Sequence, residues 1–202
     1  PQLSPPAVGL RREMAYASNR QRCVLLLEAN TATPQTWEWD GTNWSGPVAA
    51  PAFAASVTYD AARRQVVAYD SRNLRLHTWN GSRWQVLNVV GPKASFSQHI
   101  QYDGRSRRLM LFLDTSALTP SVYELHGALW VKVPSSNYPG TLRFEWRSAF
   151  DTRRNRVVVA AGGDIWSYAP PAVSAAFGRG CSSTAPPRLT ADVPNNGSDI
   201  RV

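Results

Sequence analysis

The chain has 202 residues, enough for one domain with a substantial core, and carries 22 Lys and Arg against 14 Asp and Glu, a formal charge of +8. No apolar run approaches the ~18 to 20 residues that span a bilayer, and the opening "PQLSPPAVGL" lacks the basic segment and apolar stretch of a signal peptide. The two cysteines have no zinc spacing: Cys23 in "CVLLL" reads as a small buried hydrophobe, Cys181 lies in a Gly/Ser-rich stretch, and a disulfide between them is left open.

From about residue 9 the chain repeats itself. "MAYASNRQRCVLLLE", "VTYDAARRQVVAYDS", "IQYDGRSRRLMLFLD" and "SAFDTRRNRVVVAAGG" align on the aromatic anchors Tyr16, Tyr59, Tyr102 and Phe150, spaced 43, 43 and 48 residues apart. The repeats lie near 9–50, 51–92, 93–140 and 141–169. Each opens with a strand ending at the anchor, followed by an Arg-rich turn and a second, continuously apolar strand such as Leu109-Met110-Leu111-Phe112. Consecutive apolar positions require cover on both faces.

A variable loop then leads to an aromatic hairpin: "TWEWDGTNW" with Trp39 and Trp44, "HTWNGSRW" with Trp79 and Trp84, and "YELHGALW" with Trp130. Asp40-Gly41, Asn80-Gly81 and His126-Gly127 read as two-residue turns with positive φ at both positions. The tryptophans then wedge between neighbouring sheets, each burying on the order of 200 Å². Outermost strands such as Trp130-Val131-Lys132-Val133 alternate in character, as one partly solvated strand should. The fourth copy offers "DIWSYAP" with Trp166 and no second tryptophan, so its sheet is expected to be incomplete unless an end of the chain supplies the edge.

Buried inner strands and a wetter outer one, repeated every 40 to 50 residues, predict an all-β protein: a β-propeller of four-stranded blades, about four of them visible. In the turns, Asp60 and Asp151 should accept backbone amides and pair with Arg63 and Arg154, while Arg105 or Arg107 takes that part in the third copy and Asn19 forms the turn in the first. Ten of the basic residues fall in these four turns and should make one edge of the disc positive. Residues 170–202, rich in Pro, Gly, Ser and Ala, read as a linker and the start of a further segment.

These repeats resemble the kelch-type propeller repeat in its divergent, galactose-oxidase-like bacterial form. "AFDTRRNRVVVAAGGDIWSY" carries the aromatic-Asp, the Arg turn, the apolar strand and the diglycine Gly162-Gly163, whereas Glu28-Ala29, Ser71-Arg72 and Asp114-Thr115 stand at the diglycine place elsewhere. The likeness covers about residues 9 to 169, and "FGRGC" resembles the opening of C-terminal domains that follow such propellers in exported proteins. It implies a chain that is a piece of a longer protein with further blades, placed outside the cell or in its envelope.

The resemblance also raises copper chemistry, which in that family needs two tyrosines, one cross-linked to a cysteine, and two histidines. Here His77, His99 and His126 occupy different levels of three repeats, so a shared ion is not expected, nor any other cofactor. No G-x-S-x-G, H-E-x-x-H or paired carboxylates point to hydrolysis. Glu28, Asp70, Asp114 and Asp164, at strand ends near the loop face, are the candidate ligand contacts. The expected function is a non-catalytic recognition module for a protein or carbohydrate. A divergent copper enzyme is the alternative, and nucleic-acid binding by the Arg-rich edge ranks last because basic and aromatic residues do not interleave as single-strand binders require.

Overall fold

A computed structural model describes residues 11–28, 33–52, 54–92, 98–114, 120–134, 147–161, 164–169 and 188–191. It is all strand, in four antiparallel four-stranded sheets. Blade 1 holds β1 (Arg11–Ala17), β2 (Arg22–Glu28), β3 (Gln35–Trp39) and β4 (Trp44–Ala49). Blade 2 holds β5 (Ala54–Asp60), β6 (Gln65–Asp70), β7 (Arg75–Trp79) and β8 (Trp84–Val90). Blade 3 holds β9 (Gln98–Asp103), β10 (Arg108–Asp114), β11 (Pro120–His126) and β12 (Leu129–Lys132). Blade 4 holds β13 (Arg147–Asp151), β14 (Arg156–Ala161), β15 (Asp164–Ala169) and β16 (Arg188–Ala191). The conditional expectation for the last blade resolves: Arg188–Ala191, from the Pro/Gly-rich segment, pairs with β15 and supplies its edge.

Each sheet meanders from its first strand to its fourth, and the first strands β1, β5, β9 and β13 adjoin one another in that order. The blades are thus consecutive units of a β-propeller, stacked face on face. Three apolar clusters fill the gaps. Ala15, Ala17, Val24 and Leu26 of blade 1 meet Val57, Val66, Ala68 and Trp79 of blade 2. Val67, Tyr69 and Leu76 of blade 2 meet Tyr102, Leu109, Leu111, Leu125 and Trp130 of blade 3. Met110, Phe112 and Val122 of blade 3 meet Val157, Val159 and Tyr168 of blade 4, with Phe150 and Trp166 packed alongside. Leu109 to Leu113 are wholly buried, because successive side chains face different neighbours and both neighbours are present. The outer strands β4, β8 and β12 are mostly exposed.

The turns depart from expectation in an informative way. Trp39 pairs with Trp44 and Trp79 with Trp84, so four residues rather than two close each of those hairpins. Positive φ falls on Gly41, Gly81 and Gly127 but not on Asp40, Asn80 or His126. Asp40 instead accepts the amides of Thr42 and Asn43 through Oδ1, and Asn80 those of Ser82 and Arg83, an Asx turn built by the side chain. His126 belongs to the strand, paired with Leu129.

The first turn of every blade closes on a left-handed residue five positions after the anchor: Gln21, Arg64, Arg107 and Asn155, with φ of 52, 57, 57 and 53°. Asp60 and Asp151 accept backbone amides and pair with Arg63 and Arg154, as read from the sequence. Asp103 accepts the amides of Arg105 and Ser106. In blade 1 Asn19 does not form the turn; its amide reaches across to the Arg64 carbonyl of blade 2. Cys23, expected to be buried, is only partly so and is a free thiol, and Cys181 lies outside the described residues.

Candidate binding surface

Four-stranded meanders place their first and third turns at one end of the disc and the loops between second and third strands at the other. At the turn end the joints between blades carry buried carboxylates. Glu38 in β3 accepts both Arg20 guanidinium nitrogens, at 2.5 and 2.9 Å, and the Trp79 indole N–H at 2.5 Å. Glu124 stands at the same place in β11, opposite the residue eight after the anchor. It accepts from Arg108 at 3.3 Å and from the Tyr168 hydroxyl of blade 4 at 2.9 Å, and His126 Nε2 lies 3.1 Å away. A buried carboxylate persists only when such partners replace its water. Thr78 and Ser167 hold this position in blades 2 and 4.

These two glutamates were missed as functional positions in the sequence, although an acidic residue amid "TWEW" and "VYELH" was the available signal. Trp84 follows the same logic, donating to the Thr36 hydroxyl of blade 1 at 2.7 Å. Trp130 repeats Trp84 one blade on, but Leu76 replaces the threonine, and its buried Nε1 has no partner. Trp79 and Trp84 lie 5.3 Å apart at 41°, and Trp39 and Trp44 5.4 Å apart at 46°, tilted pairs that brace each hairpin. Of the anchors, Tyr102 is buried and Tyr59 and Phe150 partly so, whereas Tyr16 is 53% exposed.

At the loop end, the turn of blade 2 between Asp70 and Arg75 is described throughout. Asp70 is buried, and its carboxylate accepts the amides of Arg72 and Asn73 and the Asn73 side chain, closing the turn. The side chains of Glu28, Asp114 and Asp164, and all of Gly162 and Gly163, lie outside the described residues. Tyr69 donates its hydroxyl to the Pro92 carbonyl at 2.6 Å, and burial, then the Asp70 charge, hold its phenol neutral far above the usual range. Gly91 runs so close beneath that ring that a Cβ would come within 2.5 Å of it.

On the side of blade 2 that faces blade 1, cross-strand pairing aligns Asp70 with Arg75 and Ala68 with His77. His77 Nε2 is buried without a hydrogen bond, 3.8 Å from the Asp70 carboxylate. Burial lowers its pKa, against the pull of Asp70 and with the push of the exposed Arg75. This face therefore carries an imidazole, a carboxylate and a guanidinium, donors and acceptors of the kind that recognise hydroxyl groups.

The three histidines serve three places. His99 sits near the axis, bonded through Nδ1 to Ser56, whose hydroxyl also accepts the Ile100 amide. Burial, followed by the nearby Arg147, pushes its pKa down to about 4, against a Ser148 backbone bond. Among the described residues no group of three or more His, Cys, Asp or Glu is placed to hold a metal ion.

No protein-family model matches the chain, and no curated protein matches it. Among solved structures, its fold is similar to that of the SapL1 lectin in complex with alpha methyl fucoside, with a TM-score of 0.57 and 12% sequence identity. The match covers 83% of this chain and 62% of the lectin, so the chain spans less than two thirds of that protein's length. At such identity the likeness is one of fold, and it agrees with the four stacked sheets: the chain is a β-propeller.

Proposed function

We propose that the chain is a non-catalytic recognition module of the kelch type that its repeats resemble, binding carbohydrate where blades 1 and 2 meet at the loop end. The observation that carries this reading is the unspent Nε2 of His77, held beside Asp70 and the exposed Arg75. A buried imidazole nitrogen without a partner gains most from a ligand hydroxyl, since the group has lost water and received no replacement. A lectin with the same fold supports a sugar as that ligand. Glycans outside the cell or in its envelope are the natural targets of an exported module of this kind.

Titration calorimetry with alpha methyl fucoside and the methyl glycosides of other neutral sugars tests the reading. One of these is expected to bind, with His77→Ala and Arg75→Ala each weakening it by about tenfold or more, the equivalent of one charge-assisted hydrogen bond. Sugar binding indifferent to both substitutions, or no binding by any of these glycosides, contradicts it.

A further inference from the structure

At the turn end, arginines near carboxylates are spent on them: Arg20 on Glu38, Arg22 on Asp40 and Arg108 on Glu124. Arg75, at the loop end, also stands beside a carboxylate but is not spent. Its cross-strand partner is the buried Asp70. That carboxylate instead closes its own turn, accepting the amides of Arg72 and Asn73 and the Asn73 side chain at 2.8 to 3.0 Å. Among the described residues the exposed Arg75 guanidinium has neither an ion pair nor a hydrogen bond. Its backbone is nonetheless fixed. Leu74, just before it, takes φ of 56°, a conformation that a leucine keeps only where its surroundings hold it, and the Gly91 amide bonds the Leu74 carbonyl at 2.6 Å. An unpaired cation carried by a fixed turn is a preorganised donor for an anion.

We infer, on the footing of the carbohydrate reading above, that the ligand is an acidic sugar: a uronic acid whose carboxylate is held by Arg75 while a ring hydroxyl meets His77 Nε2. Arg75 and His77 share one face of β7, the face turned to blade 1. Two residues apart on a strand, they stand about 7 Å from each other, comparable to the span from a hexuronate carboxylate to the hydroxyls across its ring. The guanidinium offers parallel N–H groups to both carboxylate oxygens, a fork that a neutral sugar cannot use in full. Asp70 repels such a ligand less than its charge suggests, because two amides and Asn73 already face its oxygens and the chain carries a formal charge of +8. The imidazole, whose Nε2 is buried and unbonded, is left for an uncharged group.

The test is titration calorimetry at low ionic strength with pairs of methyl glycosides that differ only in a carboxylate against a hydroxymethyl group: galacturonoside against galactoside, and glucuronoside against glucoside. Sodium acetate serves as a separate arm. One uronoside is expected to bind at least about fivefold more tightly than its neutral counterpart, an advantage that shrinks as salt is added. Arg75→Gln, at an exposed position, should keep the circular dichroism of the parent and bring that pair within about twofold of each other. Arg75→Lys should restore only part of the advantage, since an ammonium lacks the fork. His77→Ala should weaken both members of the pair alike and leave their ratio standing. A neutral glycoside bound as tightly as its uronoside, with both substitutions weakening it, overturns the acidic sugar while the carbohydrate reading survives. A preference that persists in Arg75→Gln overturns it in the same way. Acetate bound as tightly as the uronoside would reveal an anion site without sugar recognition and overturn it too. No binding by any glycoside overturns both readings together.

Discussion

At the residue scale, the joints depend on a few polar side chains whose positions are satisfied only across blades. Removing the Glu38 carboxylate strands the Trp79 N–H and the Arg20 guanidinium together. Glu38→Ala is therefore expected to lower unfolding free energy by about 2 to 4 kcal/mol, and Glu38→Gln by less, in urea titrations. His99 makes a different prediction. Its folded pKa, about 4, lies below its ordinary value, so the unfolded chain binds the proton first as pH falls. The stability it contributes is complete above about pH 6.5 and is lost on the way down towards pH 4, with roughly 2 kcal/mol gone between pH 7 and pH 5. His77, shifted in the same direction, adds to the slope. The urea midpoint of the protein should drop over that interval, and His99→Gln should flatten the drop; an unchanged slope would count against the buried neutral imidazole.

At the element scale, burial is set by place in the blade. Phe112, wholly buried in a second strand, should cost about 3 to 5 kcal/mol as Phe112→Ala, while Val86→Ala, in an outer strand with Val86 half exposed, should cost under about 0.5 kcal/mol. Comparable losses at the two positions would contradict the stacking. The strands themselves were legible in the sequence because period-two patterning, β-branched residues and a repeated anchor all agreed, and "RLMLF" could be covered on both faces in no other way. The hairpin chemistry was legible only in part. Asp40 and Asn80 were recognisable as turn residues, but whether they act through φ or through a side-chain oxygen depends on loop length, which strand ends decide. Glu38 and Glu124 were hidden because their partners lie 41 and 44 residues away, beyond any local pattern. The edge strand Arg188–Ala191 was hidden because its four residues have no repeat context.

At the scale of the whole molecule, the blades are equivalent in backbone and differ in what they place at the joints. Blades 1 and 3 present a glutamate to the next blade, and blades 2 and 4 present Thr78 and Ser167. The side chain that follows each of the first three differs with it: the Trp79 indole donates to Glu38, apolar Leu125 follows Thr78, and the Tyr168 hydroxyl donates to Glu124. This matching ties neighbouring repeats into a fixed order, the nearest-neighbour coupling expected of a repeat protein. The central claim is that consecutive sheets stack face to face and are bonded across the gap. A double-mutant cycle on Glu124→Gln and Tyr168→Phe tests it most directly, because these residues come from different blades and the second change removes one hydroxyl and nothing else. The stacked arrangement predicts a coupling of about 1 kcal/mol or more in urea unfolding, and additive effects, with no coupling, would contradict it.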